Sequence, residues 1–120
     1  MNVNINKSIL NGYKEVAPDN SLVFNVVKYF EERIPEQIEH IKINIQKNNS
    51  VQICKHLHAI KNSFLNVGAL DTAEQCQKIE DNVPQMKSGE LGLATKNILE
   101  AHRNALVQLK EYIDDLEKPL

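Results

Sequence analysis

No run of apolar residues in this sequence approaches the roughly 18–20 needed to cross a bilayer. The first residues (Met1-Asn2-Val3-Asn4-Ile5-Asn6-Lys7) also lack the apolar core of a secretory signal. Only four glycines occur, and none sits in a phosphate-cradling loop, so no nucleotide site is evident. There is no G-x-S-x-G elbow and no H-E-x-x-H pair. The two cysteines, Cys54 and Cys76, stand far apart with no C-x-x-C spacing, which removes the usual zinc and redox motifs. They read as small hydrophobes rather than as a disulfide. No excess of one charge sign appears either: 14 basic against 16 acidic residues gives a formal charge of -2, without the basic stripe of a nucleic-acid module. The expectation is a cytoplasmic protein that binds neither nucleic acid nor membrane. The native-looking Met1 and polar ends suggest a free-standing chain.

What is present is helical amphipathicity over most of 120 residues, a length suited to one domain. Residues 1–18 are polar and asparagine-rich, with Ile5, Ile9, Leu10 and Tyr13 suited to one or two helical turns lying on something else. Pro18 before Asp19-Asn20-Ser21 is a helix start signal. From there Val23, Val27, Phe30, Ile34, Ile38, Ile41 and Ile45 recur at spacings of 4, 3, 4, 4, 3 and 4. Pro35 interrupts the run without changing its phase, which predicts one long helix over about 20–47, kinked near Pro35. Asn48-Asn49 reads as the turn and Ser50 as the next N-cap.

The following helix carries Ile53, Leu57, Ile60, Phe64 and Val67 and stops near Gly68. Asp71 and Glu74 resemble a capping box for a helix burying Ala73, Cys76, Ile79 and Val83 before Pro84. A loop over 85–89 leads to a last helix, about 90–116, with Leu91, Ile98, Ala105, Leu109, Tyr112 and Leu116 as its stripe. The predicted fold is all-α: an antiparallel up-down four-helix bundle over 19–120, with a short extra N-terminal helix within 1–18.

Four histidines are the candidates for chemistry. His102 falls in the apolar stripe of the last helix and suits a buried histidine with one hydrogen bond. His40, beside Glu39 and Lys42, reads as a solvated residue. His56 and His58 are two apart, so on a helix they point ~200° from each other and cannot chelate one ion. Cys54 and His58 share a face, but no third metal ligand joins them.

His58 differs from the others, because it lies ~130° from the centre of its helix's apolar stripe and points outward. Cys54, Lys61, Asn62 and Leu65 neighbour it on that face. An exposed imidazole with a lysine one turn away suits a phosphate carrier. The neutral ring nitrogen is the nucleophile, and the ammonium stabilises phosphoryl oxygens. The pair alone is also compatible with a purely structural bundle.

The run His58-Ala59-Ile60-Lys61-Asn62-Ser63-Phe64-Leu65-Asn66-Val67-Gly68-Ala69 resembles the signature of histidine-containing phosphotransfer (HPt) domains, H-x-L-K-G-S/A followed by a G-hydrophobic pair. Cys76 and Ile79-Glu80 resemble the family's downstream small-or-thiol residue and Leu-Glu pair. Phe30, Ile34-Pro35 and Ile38 resemble its upstream F-x-x-x-hydrophobic-P pattern. The resemblance covers about 20–116.

It implies a phosphorelay intermediate of two-component signalling. His58 would take a phosphoryl group from a receiver-domain aspartate and pass it to another receiver, with Lys61 stabilising the phosphate. It also implies no ATP-dependent kinase activity and no cofactor of its own, with magnesium supplied by the receiver. The expected partners are response-regulator receivers and a hybrid histidine kinase, met by a monomer through an apolar patch around the histidine. Leu65 and the N-terminal Ile9, Leu10 and Tyr13 are candidates for that patch, or the latter three simply cap the bundle.

One position departs from the pattern: Asn62 stands where the family usually has glycine. Its amide is placed either to hydrogen-bond a phosphoryl oxygen or to crowd the site. The alternative function is therefore an HPt-like binding module that docks on a receiver or kinase without accepting phosphate.

Overall fold

The computed structural model describes residues 2–118, and among them every regular element is helical. In order these are α1 Lys7–Val16, α2 Ser21–Gln46, α3 Ser50–Asn66, α4 Leu70–Asn82, a 3-10 turn at Val83–Gln85, and α5 Ser88–Glu117. The corners between helices use residues that tolerate left-handed backbone: Asn20 (φ 68°) before α2, Asn48 (φ 53°) before α3 and Gly68 (φ 84°) before α4.

α2 runs as one element through Pro35. The ring removes one intrahelical hydrogen bond, a cost of about 3 kcal/mol in a helix interior. Against it stand Val23, Val27, Phe30, Ile34, Ile38 and Ile41, all buried on one stripe. Each such side chain contributes roughly 1.5–3 kcal/mol on burial, so packing outweighs the break. Pro35 itself is exposed.

Three local expectations are corrected. The N-cap of α3 is Asn49, whose side chain accepts from Gln52 N at 3.2 Å, and Ser50 is the first helical residue. No Asp71–Glu74 capping box forms, because α4 begins at Leu70 with Ala69 as N-cap. Asp71 then lies in the first turn, where its charge favours the helix dipole. α5 starts at Ser88, two residues earlier than its apolar stripe suggests, because Glu90 reaches back to accept from Lys87 N at 3.1 Å.

α3 lies between α2 and α4, and α2 also packs against α5. Phe30 stacks edge-on against Phe64, and His40 lies against His56. Higher numbers on α2 thus meet lower numbers on α3, as an antiparallel pair requires. Lys61 with Gln77 and His58 with Glu80 show the same register between α3 and α4.

Phe30 sits at the centre of the core, and His102 of α5 stacks against it at a ring distance of 4.9 Å. His102 is buried, with Nε2 3.1 Å from the Phe30 carbonyl. Its burial lowers its pKa, partly offset by that carbonyl and by Glu31.

The N-terminal segment is tied to the bundle. Asn6 N donates to the Gly68 carbonyl (2.8 Å), and Gln108 Nε2 donates to the Val3 carbonyl (2.7 Å). α1 is longer than the expected one or two turns, and its N-cap Asn6 accepts from Ser8 N. Leu10 is fully buried, which makes it core rather than docking surface. The Tyr13 hydroxyl donates to the Asn66 carbonyl at the end of α3. No helix among the described residues is long and apolar enough to cross a membrane.

Candidate functional site

Three turns of α3 and one edge of α4 build the site. Ile53, Leu57, Ile60 and Phe64 are buried, which fixes the rotation of α3 and turns the opposite side outward. His58 lies on that outer side with its side chain 55% exposed. The antiparallel register lays Gln77, Glu80 and Asp81 of α4 along the same ridge.

The imidazole has one close charged neighbour. Glu80 Oε1 sits 3.4 Å from His58 Nδ1, too long for a good hydrogen bond but close enough for electrostatic orientation. That oxygen is shielded from solvent and has no other partner, so it is free to accept a proton-bearing group. A carboxylate facing Nδ1 favours the tautomer with hydrogen on Nδ1, which leaves the Nε2 lone pair free.

Lys61, one turn along, is half-buried. Its Nζ donates to Gln77 Oε1 at 2.9 Å, and the Gln77 amide donates in turn to Asp81 Oδ1 at 2.8 Å. The ammonium is thus held against α4 by a neutral amide rather than locked in an ion pair. Exchanging one such hydrogen bond for another costs little, which leaves Lys61 able to turn towards an arriving anion.

Cys54 is half-buried one turn before His58, and its thiol donates to the Glu80 carbonyl at 3.6 Å. Burial pushes its pKa up, and the Glu80 and Asp81 charges push it further, so the thiol stays protonated and is a poor nucleophile. Cys76 is buried in the core, its pKa pushed up to about 12 by desolvation. Both cysteines are free.

Asn62 and Leu65 complete the expected set. Asn62 is exposed on the α2 side of His58, where it helps line an open groove of about 400 Å³. Leu65 is 38% exposed on the outer ridge of α3. Among the described residues no group of three or more histidines, cysteines and carboxylates is arranged to hold a metal ion.

The structure brings His58, Lys61 and Cys54 together with residues that helix-wheel reasoning did not select. Glu80 and Gln77 lie some twenty residues away in sequence and reach the site only through the α3–α4 register. Glu80 was visible as half of the Ile79-Glu80 pair, but nothing in its spacing indicated that its carboxylate faces His58. His40 is exposed as expected, yet it also stacks on His56, with ring centroids 4.7 Å apart and planes 8° from parallel. Two histidines sixteen residues apart on different helices carry no local signal of such a pairing.

Comparison with known proteins identifies the family of the chain. The family model of the Hpt domain matches residues 25–118, a span that takes in most of α2, all of α3, α4 and α5, and every residue of the site. Searches of curated proteins and of solved structures gave no match. With most of its length matched, including the exposed histidine and the α4 edge that faces it, the chain belongs to the Hpt domain family.

Proposed function

We propose that this protein is a phosphorelay intermediate in which His58 carries the phosphoryl group and Lys61 and Glu80 support it. Membership of the Hpt family implies a histidine phosphotransfer role in two-component phosphorelay. The observation that carries the assignment to His58 is its exposure on α3 with the Glu80 carboxylate at Nδ1.

In this reading the Nε2 lone pair attacks phosphorus in a receiver's aspartyl phosphate. The P–N bond forms as the bond from phosphorus to the acyl oxygen breaks, and the aspartate leaves as carboxylate. The Nδ1 proton stays on the ring, facing Glu80, which offsets positive charge developing on the imidazole. Lys61 turns from Gln77 to the phosphoryl oxygens. Attack by a second receiver's aspartate on the same phosphorus reverses these steps. Magnesium arrives with the receiver, and the carrier needs no nucleotide. A cytoplasmic location follows from such partners.

The receiver is proposed to dock along the seam between α2 and α3. There an open groove of about 470 Å³ is bordered by Tyr13, Val26 and the exposed Tyr29, next to the end of α3. Aromatic side chains of this kind are common anchors of protein interfaces.

Incubation with a phosphorylated receiver tests the proposal. Labelling that is stable in alkali, labile in acid and absent from His58→Gln is the expected result. Tight receiver binding with no labelling of the unsubstituted chain would instead favour a docking module blocked at Asn62.

A further inference from the structure

The side of His58 that faces α2 holds a second group of polar residues that phosphoryl transfer does not use. Gln37 is its centre, a side chain only 2% exposed between α2 and α3. Its amide satisfies both neighbours in one orientation. Nε2 donates to His56 Nδ1 at 2.7 Å, and Oε1 accepts from the Arg33 guanidinium at 2.9 and 3.1 Å. A buried amide bonded at both ends fixes the side chains it holds. Arg33 and His56 are therefore placed, not free to wander, on the wall of the groove of about 400 Å³ that opens beside His58 and Asn62. His40 stacks on His56 from α2, and Lys55 adds a second full positive charge from α3.

We propose that this groove is a carboxylate-binding subsite of the docking face, in which Arg33 and Lys55 receive an acidic side chain of the receiver and the stacked His40–His56 pair strengthens the site in acid. The inference rests on the phosphorelay reading above, which supplies the partner.

Charge complementarity is the argument for an acidic occupant. The groups facing the groove are Arg33, Glu36 and His40 from α2, and Lys55, His56 and His58 from α3. Glu36 is the one negative charge, bonded to Arg33 at 3.0 Å. It is an exposed i,i+3 pair, worth well under about 1 kcal/mol, and an incoming carboxylate displaces it at small cost. The opposite flank of His58, along α4, carries Glu80 and Asp81 against the single cation Lys61 and is negative on balance. The two sides of the phosphoacceptor thus present opposite signs, which orients a partner as well as attracting it.

The histidines add a proton dependence with a definite sign. Burial, followed by His40, Lys55 and Arg33, lowers the pKa of His56. The ring is therefore neutral at neutral pH, consistent with Nδ1 accepting from Gln37. A proton on Nδ1 forces the Gln37 amide to turn its oxygen to His56. Its NH2 group then faces Arg33, and the guanidinium loses both bonds and swings into the groove. Acidification therefore adds charge and frees charge in the same place. One charged ring over a neutral one remains a favourable stack, so a proton on His56 does not separate it from His40.

The test uses a receiver chosen because it labels His58, with affinity measured by calorimetry on the His58→Gln chain so that His58 itself does not titrate. Arg33→Gln with Lys55→Gln should weaken binding about 5-fold near pH 8, and Lys55→Glu alone should weaken it while leaving helicity unchanged. The parent should bind about 3-fold more tightly near pH 6 than near pH 8, and His40→Gln with His56→Gln should remove that difference between the two pH values. Unchanged affinity in both cationic-residue variants overturns the subsite, and an acid gain that survives loss of both histidines overturns their role. If no receiver labels His58, the phosphorelay reading itself fails, and the subsite fails with it.

Discussion

Replacing Gly68 with alanine tests how the α3–α4 corner sets the site. Gly68 has φ 84°, and a Cβ there would lie 2.6 Å from the Asn6 carbonyl oxygen and 3.2 Å from Asn6 N. The left-handed backbone costs a non-glycine residue about 1–2 kcal/mol. Relief of the close approach moves the N-terminal segment away and sacrifices the 2.8 Å bond from Asn6 N to the Gly68 carbonyl, worth about 1 kcal/mol. Loosening of Val3, a buried residue of the same segment, adds a similar amount. The lower chain entropy of unfolded alanine returns about 0.4–1 kcal/mol. The expected net loss is about 2–3 kcal/mol, a fall in Tm of roughly 6–15 °C for a domain of this size.

Urea unfolding followed by circular dichroism measures this directly. A second comparison, in a chain lacking residues 1–6, separates the causes. There the clash is gone, only the backbone cost remains, and Gly68→Ala should cost about 2 kcal/mol less than in the full chain. A full-length Gly68→Ala protein within about 0.5 kcal/mol of the parent would refute the reasoning.

Four further outcomes follow from the site and the core. Lys61→Ala should slow phosphotransfer about 10- to 100-fold in single-turnover labelling with helicity unchanged, because its ammonium meets charge that develops during transfer. Glu80→Ala should slow labelling of His58 about 10-fold, and Glu80→Gln, which keeps an acceptor but loses the charge, should recover only part of it; parent-like rates in both variants would remove Glu80 from the account. Leu65→Asp should weaken receiver binding about 10-fold in calorimetry without loss of fold, as expected for a charge placed in an apolar contact. His102, with its pKa lowered by burial, favours folding only while neutral. Its contribution is complete above the unfolded imidazole pKa of about 6.5 and is lost as pH falls through the lower folded value. Acid unfolding of His102→Leu should consequently show a shallower fall in stability over that window.

Much of this molecule was legible in its sequence, because its helices follow a 3.6-residue apolar rhythm that burial enforces. Ile53, Leu57, Ile60 and Phe64 determine which way α3 faces, so the exposure of His58 follows from them alone. The same logic carried α2 through Pro35. Helix ends were less legible. Asn49 and Ser50 are both good capping residues, and which one caps depends on the chain path through left-handed Asn48. Likewise, Asp71 and Glu74 have capping-box spacing, but the Gly68 corner places Leu70 already inside the helix.

The surroundings of His58 were the least legible part, for a physical reason. Glu80 and Gln77 reach it through the register of two helices, which depends on a corner held by a backbone bond to Asn6. The stack of His40 on His56 and the bridge through Gln37 likewise exist only once α2 and α3 pair. Periodicity assigns a face to each residue, but it assigns no partner across the interface.

The measurement that bears most directly on the central claim is the position of the phosphate on the labelled chain. Transfer from a phosphorylated receiver, followed by phosphorus NMR and peptide mapping under alkaline conditions, reads both the residue and the ring nitrogen. The orientation of Glu80 towards Nδ1 predicts phosphate on His58 at Nε2. Phosphate at Nδ1, or on His40 or His56 instead, would contradict it.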